Sequence, residues 1–143
     1  MKITEVRVKL INGDPSRQRL RAFCSITFDG SFVVRDLKIL EGAQGYFIAM
    51  PSRKLSFKCP RCGQKNTVAS NFCSHCGMSL TRVDPYAELI AAAPNKLYVD
   101  VVHPVNAACR EFVHKTIVDA YLREVARSQD PDYVSSYDDF YDV

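Results

Sequence analysis

Apolar and polar residues alternate from Glu5 to Leu10, with Val6, Val8 and Leu10 on one side and Glu5, Arg7 and Lys9 on the other. A period of two is that of a strand with one buried face. Asn12-Gly13-Asp14-Pro15-Ser16 interrupts it as a turn. A second alternating run, Arg21 to Phe28, puts Ala22, Cys24, Ile26 and Phe28 on one face. Asp29-Gly30 joins it to a third β-rich run, Phe32 to Leu40, and Asp-Gly between such runs signals a tight hairpin. Gly42 and Gly45 bracket another turn, and Tyr46 to Met50 is expected as a short, fully buried strand ended by Pro51. The pattern predicts a meander of three or four antiparallel strands.

The period changes after Ser52. Residues 59–77 are dense in Cys, Gly, Asn and Ser and offer little to a core. Asp84-Pro85 then reads as an N-cap followed by proline at the first helical position, and Pro94 must stop the helix that begins there. Leu97 to Val102 is expected as one more strand. Asn106 is expected to cap the longest helix, Ala107 to about Ala126. Its apolar stripe is Cys109, Val113, Ile117, Ala120, Tyr121 and Val125, suited to lying on a sheet. Glu111–Lys115 and Asp119–Arg123 are acid-before-base pairs on its outer side. From Arg127 to Val143 no period remains, and disorder is expected.

Composition adds one point to this outline. The 143 residues are 47% hydrophobic and 24% charged, as in an ordinary globular protein. The net charge of +3 hides an asymmetry: from Asp130 to the end there are five acidic residues (Asp130, Asp132, Asp138, Asp139 and Asp142) and no Lys or Arg, so the body is far more basic. A basic body suits an anionic polymer, though charge alone also serves solubility. No apolar run approaches the roughly 20 residues of a membrane span, and the N-terminal stretch lacks the apolar centre of a signal peptide. A cytoplasmic protein is expected, with no membrane partner.

Chemistry is concentrated in Cys59-Pro60-Arg61-Cys62-Gly63 and Cys73-Ser74-His75-Cys76-Gly77. Two cysteines so spaced can wrap one ion in a tight turn, and the following glycine permits the positive φ that the turn needs. Two such knuckles supply four thiolates for a tetrahedral Zn²⁺, one structural ion per chain with no open position for water. About 20 residues cannot fold on apolar burial alone, whereas structural zinc contributes on the order of 10–16 kcal/mol. A disulfide framework is disfavoured in a reducing compartment, and neither knuckle follows a strand and opens a helix as a redox pair would. Iron suits four thiolates as well. His75 is expected to be exposed, and Cys24 and Cys109 to be small buried hydrophobes.

Met1-Lys2-Ile3-Thr4-Glu5-Val6-Arg7, Arg21-Ala22-Phe23-Cys24-Ser25-Ile26-Thr27-Phe28, Phe32-Val33-Val34-Arg35-Asp36-Leu37-Lys38 and Phe47-Ile48-Ala49-Met50-Pro51-Ser52-Arg53-Lys54 together resemble the SpoVG family. So does His103-Pro104-Val105-Asn106 ahead of a helix. The resemblance implies an α+β domain with an antiparallel sheet and a C-terminal helix. It also implies a homodimer formed by strand exchange or edge pairing, DNA or RNA binding, a regulatory role and no catalysis. Its implied contacts fall on Arg53, Lys54 and Arg110. Residues 1–54 and 95–126 would form that domain, 55–94 an inserted zinc ribbon with a short helix, and 127–143 the tail. Two departures stand out: the insert itself, and Phe112 at a helix position where the family often has a basic residue.

Arg53, Lys54, Lys58, Arg61 and Lys65 form a run without an acidic residue, leading into the first knuckle. With Arg110 and Lys115 on the helix they are the candidate phosphate contacts. Phe57 and Phe72 are candidates for stacking on unpaired bases, with packing inside the ribbon the alternative, favoured for Phe72. The expected function is a nucleic-acid-binding regulator. The alternative is an adaptor whose ribbon docks a protein partner. No nucleophile–base pair or phosphate loop is visible, and His103, the nearest thing to a catalytic residue, is expected to make a structural hydrogen bond. The acidic, aromatic tail is a candidate competitor for the basic surface.

Overall fold

A computed structural model of the chain describes residues 1–137, so the end of the expected tail, 138–143, lies outside the described residues. The elements run β1 (Ile3–Leu10), β2 (Leu20–Phe28), β3 (Phe32–Gly42), β4 (Gly45–Ala49), β5 (Ser52–Lys54), β6 (Ser56–Lys58), β7 (Lys65–Thr67), α1 (Ala87–Ala92), a 3-10 turn (Pro94–Leu97), β8 (Tyr98–Asp100) and α2 (Ala107–Arg127). The class is α+β. The chain divides into two compact units, Met1–Pro51 with the chain from Val102 onward, and Ser52–Val101.

The first unit is a four-stranded antiparallel sheet, order β1-β2-β3-β4, with α2 on one face. Its core is Val8, Ala22, Cys24, Ile26, Leu37 and Ile39 from the sheet, against Val113, Ile117, Ala120 and Tyr121 of α2. The register explains this set: Val8 stands opposite Cys24, and Cys24 opposite Leu37. One irregularity matters. Cys24 pairs with Leu37 but Ile26 pairs with Val34, so β3 spends three residue steps where β2 spends two. Within that extra step Asp36 has φ 62°, and the bulge returns Val34 to the same side as Leu37. Asn106 caps α2 as its sequence predicts, its Oδ1 accepting the Cys109 amide at 2.7 Å. The rings of Tyr46 and Tyr121 meet edge to face at 5.3 Å.

Several expectations are corrected here. β4 is an edge strand, not a fully buried one, and Phe47 is 43% exposed. Among the described residues, neither Glu111–Lys115 nor Asp119–Arg123 closes to ion-pair distance; the ion pair on α2 is Arg127 with Glu124, at 2.7 Å. The described part of the tail makes contacts. Tyr133 donates to Glu124 Oε1 at 2.6 Å, and its ring lies 4.8 Å from the Arg127 guanidinium. Arg35 lies 5.7 Å from the ring of Tyr137. Both tyrosines, spaced among aspartates, thus lie within cation–π distance of an arginine.

In the second unit β5 pairs with β8, and β6 with β7. Because β5 and β8 bond to each other, this unit covers 52–101, wider than the 55–94 expected from the sequence. Its buried residues are Phe57, Cys59, Val68, Cys73 and Leu80, with Leu55, Met78, Tyr86, Ile90 and Leu97 packed around them. The short α1 and the 3-10 turn therefore cover this small core. α1 begins at Ala87 with Tyr86 at its N-cap and no side-chain cap, later than the Asp84-Pro85 start expected; Asp84 instead fixes the preceding turn, accepting the Tyr86 amide at 2.8 Å and the Ala69 amide at 3.0 Å. Among the described residues no helix is long and apolar enough to cross a membrane.

Candidate metal centre

Both knuckles fold as their sequence requires, and they fold alike. The Gly63 amide bonds the Cys59 carbonyl at 2.9 Å, and the Gly77 amide bonds the Cys73 carbonyl at 3.1 Å. One residue further on, the Gln64 carbonyl accepts from the Cys59 amide and the Met78 carbonyl from the Cys73 amide, each at 2.8 Å. The two glycines have φ of 78° and 76°, a left-handed conformation that a Cβ would strain. Each knuckle tops a short antiparallel pairing, β6–β7 for the first and the Phe72–Ser79 bridge for the second.

The result brings all four sulfurs within 4.8 Å of one another. Cys59 and Cys76 are 3.7 Å apart, and Cys62 and Cys73 are 3.6 Å apart. A tetrahedron with metal–sulfur bonds of about 2.3 Å has edges of about 3.8 Å, so these two pairs stand at coordination distance and the whole set close to it. They are far beyond the roughly 2.05 Å of a disulfide, and all four cysteines are free. The residues fit a metal ion. Such an ion would tie the two hairpins together, and four protein ligands would leave it no site for water.

The charges point the same way. The Cys76 amide first, then the Asn66 side chain, the His75 amide and the Cys62 thiol, draw the Cys73 thiol down to about 5 against the opposing effect of burial. The Cys62 amide does most to lower Cys59, helped by the Arg61 amide and the thiols of Cys76 and Cys62. Cys62 goes the other way: the Gln64 amide lowers it, but burial and the thiols of Cys73, Cys76 and Cys59 push it up to about 11. Amides stabilise the first sulfur anions, and those anions oppose the next. A divalent cation at the centre removes that conflict.

Asn66 carries no signal in the sequence, yet it joins the two knuckles. It is buried opposite Phe57 in the β6–β7 register. Its Oδ1 accepts the Ser74 amide at 2.9 Å, and its Nδ2 donates to the Gln64 carbonyl at 3.0 Å and to Cys73 Sγ at 3.4 Å. The inward position on a short strand could have marked it, had that strand been visible beforehand. His75 is exposed, as expected.

The candidate phosphate contacts divide between the units. Lys58 and Lys65 stand directly opposite each other on β6 and β7, both exposed, and Arg61 is exposed on the knuckle that joins them. Among the described residues none of these three has a carboxylate partner. Arg53 is exposed and Lys54 half-buried on β5, opposite Val99 and Tyr98. Arg110 and Lys115 belong to the other unit, where they line a shallow groove on α2 with Ala107, Glu111 and His114. Phe57 is in the small core, but Phe72 is 66% exposed, against the expectation that it packs inside. Val68 and Leu80 fill the interior that Phe72 was expected to supply.

Comparison with known proteins adds a family. The SpoVG family profile matches residues 1–123. A curated protein of Caldicellulosiruptor saccharolyticus, named for septation as SpoVG, is 31% identical over 121 residues, 85% of this chain and 91% of that relative. A protein of the same name from Caldanaerobacter subterraneus subsp. tengcongensis is 32% identical over 121 residues, 85% of this chain and 88% of its own. The one from Aster yellows witches'-broom phytoplasma is 57% identical over 56 residues, 39% of this chain and about half of its own length, at 54%.

Proposed function

The chain belongs to the SpoVG family, and from that premise we propose that it is a nucleic-acid-binding regulator whose cysteine cluster holds one structural zinc ion. The observation that carries this reading is the Lys58–Lys65 pair. Like charges placed directly across a two-stranded ladder destabilise it, and no carboxylate among the described residues relieves them. With Arg61 on the intervening turn, three cations converge on one exposed end of the hairpin. A phosphate backbone supplies the missing anions and releases counterions on binding. Phe72, exposed on the second knuckle's ladder, offers a face for a base.

The ion organises this surface and does no chemistry, because four thiolates fill its coordination shell. Catalysis forms no part of the reading; His103 Nδ1 lies 3.0 Å from the carbonyl of its neighbour Pro104, a local structural contact. Zinc is preferred to iron because a closed, redox-silent site suits a purely structural task. The proposal places the protein in the cytoplasm, where these thiols stay reduced, and as a homodimer built on the unpaired edges of β1 and β4.

Titrating labelled DNA and RNA with metal-loaded protein at two salt concentrations tests the reading. Affinity that falls steeply with salt supports it, and binding weaker than millimolar at low salt ends it. Metal analysis expects one zinc per chain in a colourless protein. The exposed Phe72 also suits the adaptor reading, in which this unit docks a protein. Reversing Lys58, Arg61 and Lys65 to glutamate separates the two: an adaptor would keep its nucleic-acid affinity and lose a partner.

A further inference from the structure

We propose that Cys62 is a hydroperoxide-reactive modification site, at which oxidation exchanges the metal tie between the two knuckles for a Cys62–Cys73 disulfide. The inference rests on the metal-centre reading above and gives its sulfurs a reaction that a purely structural site does not need. Of the six cysteines, Cys62 is the exposed one; Cys24, Cys59 and Cys73 are buried, and Cys76 and Cys109 are half-buried. Coordination holds every ligand as a thiolate, so access decides which sulfur meets an oxidant first. Cys62 also has a second thiol at hand. Cys73 Sγ lies 3.6 Å away, about 1.5 Å beyond the length of a disulfide bond.

The pairing crosses from one turn to the other. Cys62 closes the first knuckle and Cys73 opens the second, so their bridge joins the same two hairpins that an ion would join. The other close pair, Cys59 and Cys76 at 3.7 Å, runs the same way. Asn66 spans that junction too, through its bonds to the Gln64 carbonyl and the Ser74 amide. Oxidation therefore costs this unit its ion and keeps its hairpins tied.

The reaction balances with hydrogen peroxide as the one co-reactant. The Cys62 thiolate attacks a peroxide oxygen, so an S–O bond forms, the O–O bond breaks, and hydroxide leaves to become water with a solvent proton. The Cys73 thiolate then attacks the Cys62 sulfur. An S–S bond forms, the S–O bond breaks, and a second hydroxide leaves to take a second proton. Two electrons pass from the two sulfurs to one peroxide. With two of four ligands gone the ion is released, and a dithiol restores both thiols by exchange.

The test uses full-length, zinc-loaded protein, hydrogen peroxide and a zinc-sensitive dye. Release of zinc is expected with about one equivalent of peroxide per ion. Non-reducing peptide mapping is expected to find Cys62–Cys73 as the first bridge, and dithiothreitol with zinc should restore the loaded protein. Cys62→His keeps a donor suited to zinc but lacks the reactive sulfur, and its release should be at least about tenfold slower. Should that variant fail to load, the order of bridges in the wild type decides alone. If loaded protein keeps its zinc in excess peroxide, if another pair bridges first, or if the loaded variant releases zinc as fast as the wild type, the inference is overturned and the metal centre stands. If the protein neither carries nor takes up metal, both fall.

Discussion

The two units of this chain use cysteine for opposite purposes. In the sheet unit Cys24 is fully buried among Val8, Ile26 and Leu37, and burial pushes its thiol up to about 12, so it packs as a neutral hydrophobe. In the second unit Cys73 is almost as buried, yet amides draw its thiol down to about 5. The difference is local backbone geometry. A strand directs its amides to the neighbouring strand, while a knuckle turns them on its own sulfur. The units also differ in what holds them together. Ten buried residues cluster between sheet and helix in the first, whereas two of the five in the second, Cys59 and Cys73, are candidate metal ligands.

The largest test of that contrast removes a ligand. Cys73→Ser is expected to abolish stoichiometric metal binding and to unfold residues 56–82, a loss on the order of 10 kcal/mol for that segment. Near-ultraviolet and amide signals of the sheet unit should persist. Leu37→Ala attacks the other side, with an expected loss of about 2–5 kcal/mol in the denaturant stability of the sheet unit and unchanged metal content. Asn66→Ala keeps the four sulfurs but removes the bond to Cys73 Sγ and the tie to Ser74. Metal affinity measured by chelator competition is expected to fall about 10–100-fold.

A smaller effect separates the units by pH. The depressed Cys73 thiol contributes stability that is present above its unfolded value near 9 and lost as pH falls through about 5, so acid should loosen the second unit first. The raised Cys24 thiol contributes stability that is present below 9 and lost as pH rises toward 12. A denaturation series at alkaline pH should show this decline for the sheet unit, and Cys24→Ala should reduce it.

Local pattern carries much of the fold and the centre of the site. The strands β1 and β2 announce themselves by alternation, β3 by its β-rich run after Asp29-Gly30, α2 by its stripe and its Asn106 cap, and the knuckles by cysteine spacing and the glycine after it. Features that depend on distant pairing are silent in the sequence. The bulge at Arg35 and Asp36 exists only because β2 fixes where β3 must resume. The β5–β8 pairing joins three-residue strands more than forty positions apart. Asn66 gains its role from a second knuckle that folds against it, and Phe72 is exposed because Val68 and Leu80 occupy the interior first.

Hydrogen exchange, read segment by segment with and without a strong chelator, tests the central contrast most directly. Starting from protein with one bound metal ion, chelation should abolish protection at Cys59, Gly63, Cys73 and Gly77 and through β6 and β7. β1 to β3 and α2 should exchange as before. Equal protection of the second unit in metal-free protein would contradict the account, since its hairpins would then hold together without an ion between their sulfurs.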